Sequence, residues 1–298
     1  MEYRKLGNTG LEVSALGFGG AEIGFFNKDQ ALVDELLNSA VDAGLNFVDT
    51  AAAYWTSEQL IGAALKGRRK EIILASKCGA VDGFSRSDWS KKGILETITN
   101  SLMLLGTDYL DIAQLHSCGK EVLERGEVAE ALIVARERGY TRFTGYSGDA
   151  EAAAYALSMD FFDTLQTSLS VADQQAIDLT IPVAREKGVG VIAKRPVANA
   201  VWRNESTPED SYHHEYWDRI QELNYEFLDL PLEESVGIAL RYTLSVEGVA
   251  TAIVGTTKPG RWVRNASYVD QGPLPGSDFE AIRRRWKNTA DEDWVGKV

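Results

Sequence analysis

The residues best suited to chemistry lie in one stretch, 44–62, which reads GLNFVDTAAAYWTSEQLIG. It places Asp49 and Tyr54 five residues apart. The apolar run before Asp49 is typical of a buried strand, and Thr56 with Gln59 has the spacing of a capping box that opens a helix. An acid and a phenol therefore bracket a predicted strand-to-helix loop. Read alone, the pattern also fits an acid that caps the loop and a phenol that packs in the core.

Two further polar residues close the apolar runs that follow. Lys77 ends IILASK, where a charge is costly without an anionic partner, and Asp49 on the preceding strand can supply that partner. His116 ends YLDIAQLH. Taken singly, such a lysine is commonly a surface residue with a snorkelling stem, and such a histidine a satisfied core residue. Because the carboxyl ends of barrel strands converge on one mouth, we expect the four side chains to form one site.

The ionisable groups of these four side chains predict a site that donates a proton. A phenol with a pKa near 10 is a poor acid at neutral pH unless its anion is stabilised. We expect the Lys77 ammonium to lower the pKa of Tyr54 toward the working pH, while Asp49 keeps Lys77 charged and oriented. His116 can donate a hydrogen bond to a substrate oxygen. This chemistry suits reduction of a carbonyl by hydride from a nicotinamide.

The elements that must position these residues repeat along the chain. Strands are predicted at 16–21, 46–50, 71–77, 109–116, 142–147, 164–169, 189–196 and 250–255, with helices at 29–43, 57–66, 90–105, 121–138, 149–158, 174–187, 232–245 and from Pro259 onward. Eight such α/β units predict a closed (β/α)8 TIM barrel. A doubly wound open sheet is the alternative. Against it, no strand is followed by GxGxxG or by GxxxxGKS/T.

The whole chain, 1–298, is interpreted as one barrel domain. An N-terminal β-hairpin at 1–14 is predicted to close the bottom of the core. An aromatic insertion at 197–230 follows the seventh strand, and a C-terminal tail occupies 268–298. Both can pack outside the barrel, but loops after barrel strands lie over the catalytic face, so the insertion is interpreted as a substrate lid.

Composition narrows the class of protein. A net charge of -13 argues against a sequence-independent nucleic-acid binder and against docking on an anionic membrane. The N-terminus lacks a signal-peptide core and no run reaches the length of a membrane span, so a cytoplasmic location is expected. Cys78 and Cys118 are predicted to be reduced thiols, and three histidines without spaced partners predict no metal site.

The ordered motifs resemble the aldo-keto reductase family of NAD(P)(H)-dependent (β/α)8 enzymes. The resemblance rests on NFVDTAAAYWTSE at 46–58, ILASK, YLDIAQLH, FTGYS, DTLQTSLS and GTTKPGRWVRNA, and spans nearly the whole chain. It implies Tyr54 as the general acid/base, with Asp49, Lys77 and His116 completing a tetrad. This agrees with the roles argued from the residues themselves.

The resemblance also implies a cofactor site. Ser147 and Gln166 would hold the nicotinamide carboxamide, and the end of the seventh strand with the segment 255–265 would hold the phosphates. Independently, the cations at the predicted start of the last helix favour an anion there, and hence NADP(H) over NAD(H). A solvated basic first turn is the alternative. The full expected set is Gly20, Ala21, Ser147, Gly148, Gln166, Lys194, Arg195, Pro196, Gly255, Thr256, Thr257, Lys258, Arg261 and Asn265.

Three positions depart from the common family pattern. Gly148 stands where an asparagine is usual, and Lys194 where many members place a tyrosine that stacks on the nicotinamide. Lys194 or Arg195 is therefore a candidate to reach cofactor phosphate or an acidic substrate. Trp55 follows the tyrosine where glycine is common, and is expected to narrow the pocket. The expected substrate pocket comprises Phe25, Trp55, Phe84, Trp89 and Trp202.

Three functions remain open at this point. The first is an NADPH-dependent reductase of small aldehydes, ketones or sugars, which in reverse is an alcohol or sugar dehydrogenase. The second is a nicotinamide-binding sensor or regulatory subunit with little turnover. The third is a barrel enzyme that uses no nicotinamide. The sequence predicts neither the particular substrate nor the oligomeric state.

Overall fold

A computed structural model describes residues 1–296; the last two residues of the predicted tail lie outside this part. The chain begins with an antiparallel hairpin of β1 (Tyr3–Lys5) and β2 (Glu12–Ser14). The amide of Asn8 in its turn donates to the carbonyl of Gly188, just before the seventh barrel strand. Gly7 (φ 53°) approaches so closely that a Cβ would lie 2.4 Å from the same carbonyl oxygen. The hairpin therefore closes the amino-terminal end of the barrel, as predicted.

Eight parallel strands form a closed barrel in the order in which they occur along the chain. They are β3 (Leu16–Gly19), β4 (Phe47–Asp49), β5 (Ile73–Cys78), β8 (Leu110–His116), β9 (Thr141–Ser147), β10 (Thr164–Ser168), β11 (Gly190–Lys194) and β12 (Val249–Val254); between β5 and β8 lies a small antiparallel pair, β6 (Ala80–Val81) and β7 (Arg86–Ser87). The predicted (β/α)8 barrel is confirmed.

Helices connect the strands and cover the barrel. They are α1 (Ala21–Phe25), α2 (Gln30–Asp42), α3 (Ser57–Ala64), α4 (Lys91–Leu105), α5 (Lys120–Glu124), α6 (Glu127–Glu137), α7 (Ala150–Ser158), α8 (Gln175–Leu179), α9 (Ile181–Lys187), α10 (His214–Leu223), α11 (Leu232–Leu244), α12 (Arg261–Val269) and α13 (Gly276–Thr289). Among the described residues no helix is both long and apolar enough to cross a membrane.

Two predicted helices are each split in two. The predicted helix 121–138 is interrupted at Gly126, whose φ of 78° lies outside the helical region. The predicted helix 174–187 is interrupted at Thr180, two residues before Pro182, whose missing N–H removes a helical hydrogen bond. Both breaks were misread as continuous helix because the apolar spacing runs across them.

Two local predictions near the site were wrong. The first barrel strand ends at Gly19, and residue 21 of the predicted strand 16–21 already begins α1. The predicted capping box does not form, because Thr56 has helical backbone angles and its side chain makes no cap hydrogen bond. The next residue, Ser57, is buried instead, and its hydroxyl donates to the carbonyl of Gly20 at 2.7 Å.

The aromatic insertion contributes to a second core outside the barrel. Tyr216 and Trp217 of α10, together with Tyr225, are buried in one cluster with Ile282 and Trp286 of α13. The aromatic side chains of this helix therefore pack against the C-terminal helix. The part of the insertion that leaves β11 directly is a 3-10 segment, Ala198–Arg203, which includes three consecutive residues with positive φ at 198–200.

Candidate active site

Four polar side chains meet at the carboxyl-terminal mouth of the barrel, where the sequence placed them. Asp49 ends β4, Lys77 lies one residue before the end of β5, and His116 ends β8. The chain after β4 continues alongside β5, with the amide of Ala52 donating to the carbonyl of Lys77 at 3.1 Å. A turn then brings Tyr54 over the mouth.

Lys77 is the hub of this group. Its Nζ lies 2.5 Å from Asp49 Oδ2, 2.9 Å from the carbonyl of Thr50 and 3.4 Å from the hydroxyl of Tyr54. Burial lowers the pKa of Lys77, but the charge of Asp49 and the contact with Tyr54 outweigh burial and raise it overall. The side chain is therefore an ammonium across the neutral range.

The phenol of Tyr54 retains its proton more strongly than the sequence suggested. Burial raises the pKa of Tyr54, and the nearby Lys77 ammonium offsets that effect only in part. The expectation that Lys77 brings this pKa down to the working pH was wrong, because desolvation of the phenolate is the larger effect. Tyr54 is thus a neutral hydroxyl with a proton to donate.

His116 completes the group as a neutral base. Its ring centroid lies 5.4 Å from that of Tyr54, and its side chain is buried. Burial, followed by the charges of Lys77, Lys194 and Arg195, holds the pKa of His116 well below its ordinary value of 6.5. Within residues 1–296 its Nδ1 has no hydrogen-bond partner. A neutral imidazole still donates one N–H, so His116 is able to hold a carbonyl oxygen.

Two glutamines hold the carboxylate of Asp49 from the other side. Gln166 Nε2 donates to Asp49 Oδ1 at 2.8 Å, and Gln114 Nε2 donates to the same oxygen at 3.0 Å. Sequence reasoning missed Gln114. Its signal was present, because Gln114 lies two residues before His116 on one strand and so faces the same side.

The residues expected at the carboxamide lie next to the tetrad. Ser147 pairs in register with both His116 and Gln166, and its hydroxyl lies 3.3 Å from Gln166 Oε1. The departure at Gly148 has a steric cause, since a Cβ there would lie 2.6 Å from the ring of Tyr146. The Tyr146 hydroxyl is itself fixed by a 2.6 Å hydrogen bond to the carbonyl of Cys118.

The two cations after β11 are both engaged within the protein. Lys194 Nζ lies 2.8 Å from Asp149 Oδ2. Arg195 donates to Ser168 Oγ at 2.9 Å and to the Tyr212 hydroxyl at 2.8 Å, from a backbone with φ of 56°. Asp149, which sequence reasoning missed, is therefore the partner that allows a lysine to lie buried at this position.

Asp149 is held as a carboxylate. It accepts hydrogen bonds from Thr167 Oγ1 at 2.7 Å and from the amide of Ser168 at 2.6 Å. Burial raises its pKa, but Lys194 and these donors outweigh burial and place it below the ordinary value. Burial lowers the pKa of Lys194, and Asp149 offsets part of that effect.

The segment expected to hold the adenosine phosphate forms a helix start. Lys258 donates its amide to Thr256 Oγ1 at 3.1 Å, and α12 begins at Arg261, whose guanidinium lies 4.0 Å from Glu233. Asn265, one turn into α12, is buried, and its Oδ1 lacks a partner in the described part of the chain. A cation and a buried acceptor without a partner in the described chain are thus gathered at the start of α12. Among the other expected residues, the amide of Gly20 donates to the backbone carbonyl of Asp49, and Ala21 begins α1. The carbonyl of Pro196 accepts a hydrogen bond from the Thr243 hydroxyl. Gly255 follows β12, and Thr257 is partly buried.

Three of the five expected pocket aromatics line the mouth. The ring of Phe25 lies 5.5 Å from that of Tyr54, and the ring of Phe84 lies 4.8 Å from that of His116. Trp55 is 59% exposed and lies against Gly83 of the segment that carries Phe84. Its φ of 47° lies in the left-handed region that favours glycine.

The other two pocket candidates are engaged elsewhere. Trp89 packs against the backbone of Gly79 and the main core. Trp202 donates its Nε1 to Ser235 Oγ at 2.9 Å on α11. Neither is in ring contact with the tetrad within residues 1–296.

The two cysteines next to the site residues Lys77 and His116 are buried. Cys78 and Cys118 are both buried free cysteines, and burial raises the pKa of Cys118 to about 12. In the described part of the chain, no three His, Cys, Asp or Glu side chains are grouped to hold a metal ion.

Comparison with known proteins places this geometry in a family. The sequence model of the aldo/keto reductase family matches residues 15–287. The chain is 30% identical to L-galactose dehydrogenase of Arabidopsis thaliana, over 95% of this chain and 92% of the relative. It is 27% identical to D-threo-aldose 1-dehydrogenase of Pseudomonas sp, over 87% and 90%.

Solved structures agree. The aldo-keto reductase AKR11C1 of Bacillus halodurans, in its holo form, superposes with a TM-score of 0.84 and 30% identity, covering 99% of both chains. The resemblance argued from the motifs is thus confirmed over nearly the full length. The chain belongs to the aldo-keto reductase family and is an oxidoreductase of carbonyl and alcohol groups.

Proposed function

We propose that this protein is an NADP(H)-dependent oxidoreductase in which Tyr54 is the general acid for carbonyl reduction and the general base for alcohol oxidation. The observation that carries the proposal is the buried chain of contacts from Asp49 through Lys77 to the Tyr54 hydroxyl. It provides a proton donor and, next to that donor, a fixed cation that stabilises the anion left after proton transfer.

The residues present fit a dinucleotide. The buried Oδ1 of Asn265, which has no hydrogen-bond partner among the described residues, lies in the first turns of α12. Arg261 and Lys258 add positive charge there, which favours a 2′-phosphate and hence NADP(H).

The roles of the tetrad follow from its protonation states. When bound, the reduced nicotinamide supplies the hydride. His116 donates its N–H to the substrate oxygen, while Tyr54 transfers its proton to that oxygen as negative charge develops. Lys77 stabilises the resulting phenolate, and Asp49 keeps the ammonium aligned. In the alcohol-oxidising direction the roles are reversed, and the Tyr54 phenolate accepts the proton of the substrate hydroxyl.

For the substrate we propose small carbonyl compounds that include aldoses. The names of two relatives, L-galactose dehydrogenase and D-threo-aldose 1-dehydrogenase, support the sugar class for a chain of this likeness. The half-exposed rings of Phe25 and Phe84 provide apolar faces against which a sugar or aryl ring can pack.

A paired assay tests the proposal. The purified protein is screened for NADPH oxidation with aldehydes, ketones, aldoses and lactones, and for NADP reduction with free aldoses and alcohols. We expect saturable turnover with at least one class, and a Kd for NADPH below that for NADH. Tight NADPH binding with negligible turnover across the whole panel would favour the sensor function instead. The absence of any NADPH fluorescence change on mixing would contradict both.

A further inference from the structure

Gln114 donates a hydrogen bond to the carboxylate of Asp49. It lies fully buried on β8, directly opposite Lys77 in the β5–β8 register, and two residues before His116. Its Nε2 donates to Asp49 Oδ1 at 3.0 Å, whereas Lys77 Nζ occupies Asp49 Oδ2 at 2.5 Å. The two donors therefore fix the carboxylate at both oxygens.

The barrel wall leaves room for this side chain. On the neighbouring strand Gln114 pairs in register with Gly145. A Cβ at Gly145 would lie 2.4 Å from Thr164 Oγ1 and 2.8 Å from Gln114 Cγ, so glycine leaves space for both side chains. The position is thus shaped to hold a long polar side chain in a layer of the barrel that is otherwise closely packed.

The oxygen of the Gln114 amide indicates why an amide is present at this position. Gln114 Oε1 is buried and has no hydrogen-bond partner in residues 1–296. A carboxylate accepts hydrogen bonds only, so the amide has to turn its NH2 to Asp49 and leave its oxygen unsatisfied. A leucine would fill the same space without that penalty. The contact with Asp49 is therefore the contribution that an amide makes here.

Gln166 donates to the same oxygen of Asp49 but has a second engagement. Its Oε1 lies 3.3 Å from Ser147 Oγ, and both residues belong to the proposed carboxamide site. A Gln166 that turns toward a cofactor leaves Asp49 with Gln114 as its remaining amide donor. Gln114 has no such second partner in residues 1–296, so its contact with Asp49 does not compete with another side-chain contact.

We propose that Gln114 is a positioning residue that acts through Asp49 and Lys77 to set the proton affinity of Tyr54. The inference rests on the proposed function, in which Tyr54 exchanges the proton. Removing the amide removes a partial positive charge from the buried group and leaves Asp49 Oδ1 with one amide donor, Gln166, instead of two. Both the alignment of Lys77 and the proton affinity of the Lys77–Tyr54 pair then change.

The test compares Gln114→Met, which keeps the volume and removes the donor, with wild type. We expect kcat to fall about tenfold, consistent with loss of a hydrogen bond to a charged group. The KM and the Kd for NADPH stay within about twofold, since uniform binding is untouched. The alkaline limb of the pH profile of kcat moves up by about half a unit, because less positive charge favours the protonated phenol.

A second variant, Gln114→Glu, separates positioning from packing. Its protonated carboxyl donates to Asp49 as the amide does, whereas its ionised form repels Asp49. We expect its kcat to recover toward wild type as the pH is lowered, while Gln114→Met does not recover. Thr251→Val is the matched control, since Thr251 is another buried barrel residue whose Oγ1 has no partner within the described chain; its pH profile should match wild type.

A Gln114→Met variant with the kcat and pH profile of wild type would overturn the inference. So would a Gln114→Glu variant whose kcat has the pH dependence of wild type, a comparison that stands even where Gln114→Met fails to fold. Tyr54→Phe, assayed in parallel, separates the two proposals. If Tyr54→Phe is inactive and Gln114→Met has wild-type kinetics, only the positioning role of Gln114 is contradicted. If Tyr54→Phe retains activity, the proposed function is contradicted, and the positioning role that rests on it is contradicted as well.

Discussion

The ring of Phe84 lies against the ring of His116, with 4.8 Å between centroids and 63° between planes. The same ring lies 6.3 Å from that of Tyr54 and 6.4 Å from that of Phe25. Phe84 belongs to a segment, 82–84, in which all three residues have positive φ. A carbonyl oxygen that reaches both His116 and Tyr54 therefore has to contact Phe84 or displace it.

Phe84→Ala should accordingly change substrate affinity more than the rate of chemistry. We expect the KM for benzaldehyde to rise by about 3- to 10-fold, because an aromatic pair contributes roughly 0.5–1.5 kcal/mol. The kcat and the Kd for NADPH should stay within about twofold. Steady-state kinetics at saturating NADPH measure the effect. Phe26→Ala is the control, since Phe26 is a neighbouring ring that is 64% exposed; equal effects of the two variants would show that Phe84 does not contact substrate.

The buried neutral His116 predicts a specific pH dependence of stability. Its pKa is depressed below the ordinary value of 6.5, mainly by burial, so the unfolded chain binds a proton in the acidic range that the folded protein does not. Stability from this group is complete above pH 6.5 and is lost as the pH falls. Between pH 7 and pH 5 the loss amounts to at most about 2 kcal/mol, the limit for a folded imidazole that takes up no proton in this range.

Urea denaturation at pH 7 and pH 5 measures this loss. His116→Asn should remove that part of the pH dependence, whereas His214→Asn should retain it. An unchanged difference between the two pH values in His116→Asn would mean that the imidazole is not buried in its neutral form. The slope of the transitions has to stay constant for the comparison to hold.

The pair of Lys194 and Asp149 predicts an asymmetric effect on stability. Asp149→Asn leaves a buried ammonium without its counter-charge and should cost about 3–5 kcal/mol of unfolding free energy. Lys194→Met should cost less, because Asp149 keeps the Ser168 amide and the Thr167 hydroxyl. The double variant Asp149→Asn/Lys194→Met should recover at least half of the first loss.

The double-mutant cycle is read from urea unfolding of the four proteins. Additive losses would show that the two charges do not depend on each other, and would contradict the interpretation that Asp149 permits a lysine at the end of β11.

The sequence predicts the placement of the tetrad for a definable reason. Asp49, Lys77 and His116 each end an apolar run, and strand ends in a barrel share one mouth. Spacing indicates which face of a strand a residue such as Gln114 lies on, but it does not indicate its side-chain partner two strands away. The engagement of Lys194 by Asp149 depends on how β9, β10 and β11 pack, and the contact of Gln114 with Asp49 depends on the interior of the barrel. Neither follows from spacing along the chain.

Two predictions, the lowered pKa of Tyr54 and the capping box at Thr56, were wrong for the same reason. The pKa of Tyr54 was predicted from its charged neighbour alone, but desolvation depends on three-dimensional burial. The capping box at Thr56 was predicted from residue types, but the backbone there is already helical, and Ser57 is tied to Gly20 instead. Tertiary contacts override local preference at both positions.

Cofactor preference should depend on Arg261. Arg261→Ala should raise the Kd for NADPH by about 10- to 100-fold and the Kd for NADH by less than about twofold, because one charge-assisted contact to a 2′-phosphate is lost. Arg264→Ala is a matched control, since Arg264 also pairs with Glu233 but lies one turn further along α12. Fluorescence titration measures both constants. Equal losses for the two cofactors in Arg261→Ala would contradict the phosphate assignment.

The proposed function requires that the Tyr54 hydroxyl, 3.4 Å from Lys77, supplies the proton. The direct measurement is kcat for NADPH-dependent reduction by Tyr54→Phe, with NADPH affinity measured in parallel and Tyr155→Phe as a control for loss of a phenol elsewhere. We predict that kcat falls by at least about a thousandfold, that the Kd for NADPH stays within about twofold, and that the control matches wild type. A Tyr54→Phe enzyme with kcat within about tenfold of wild type would contradict the account.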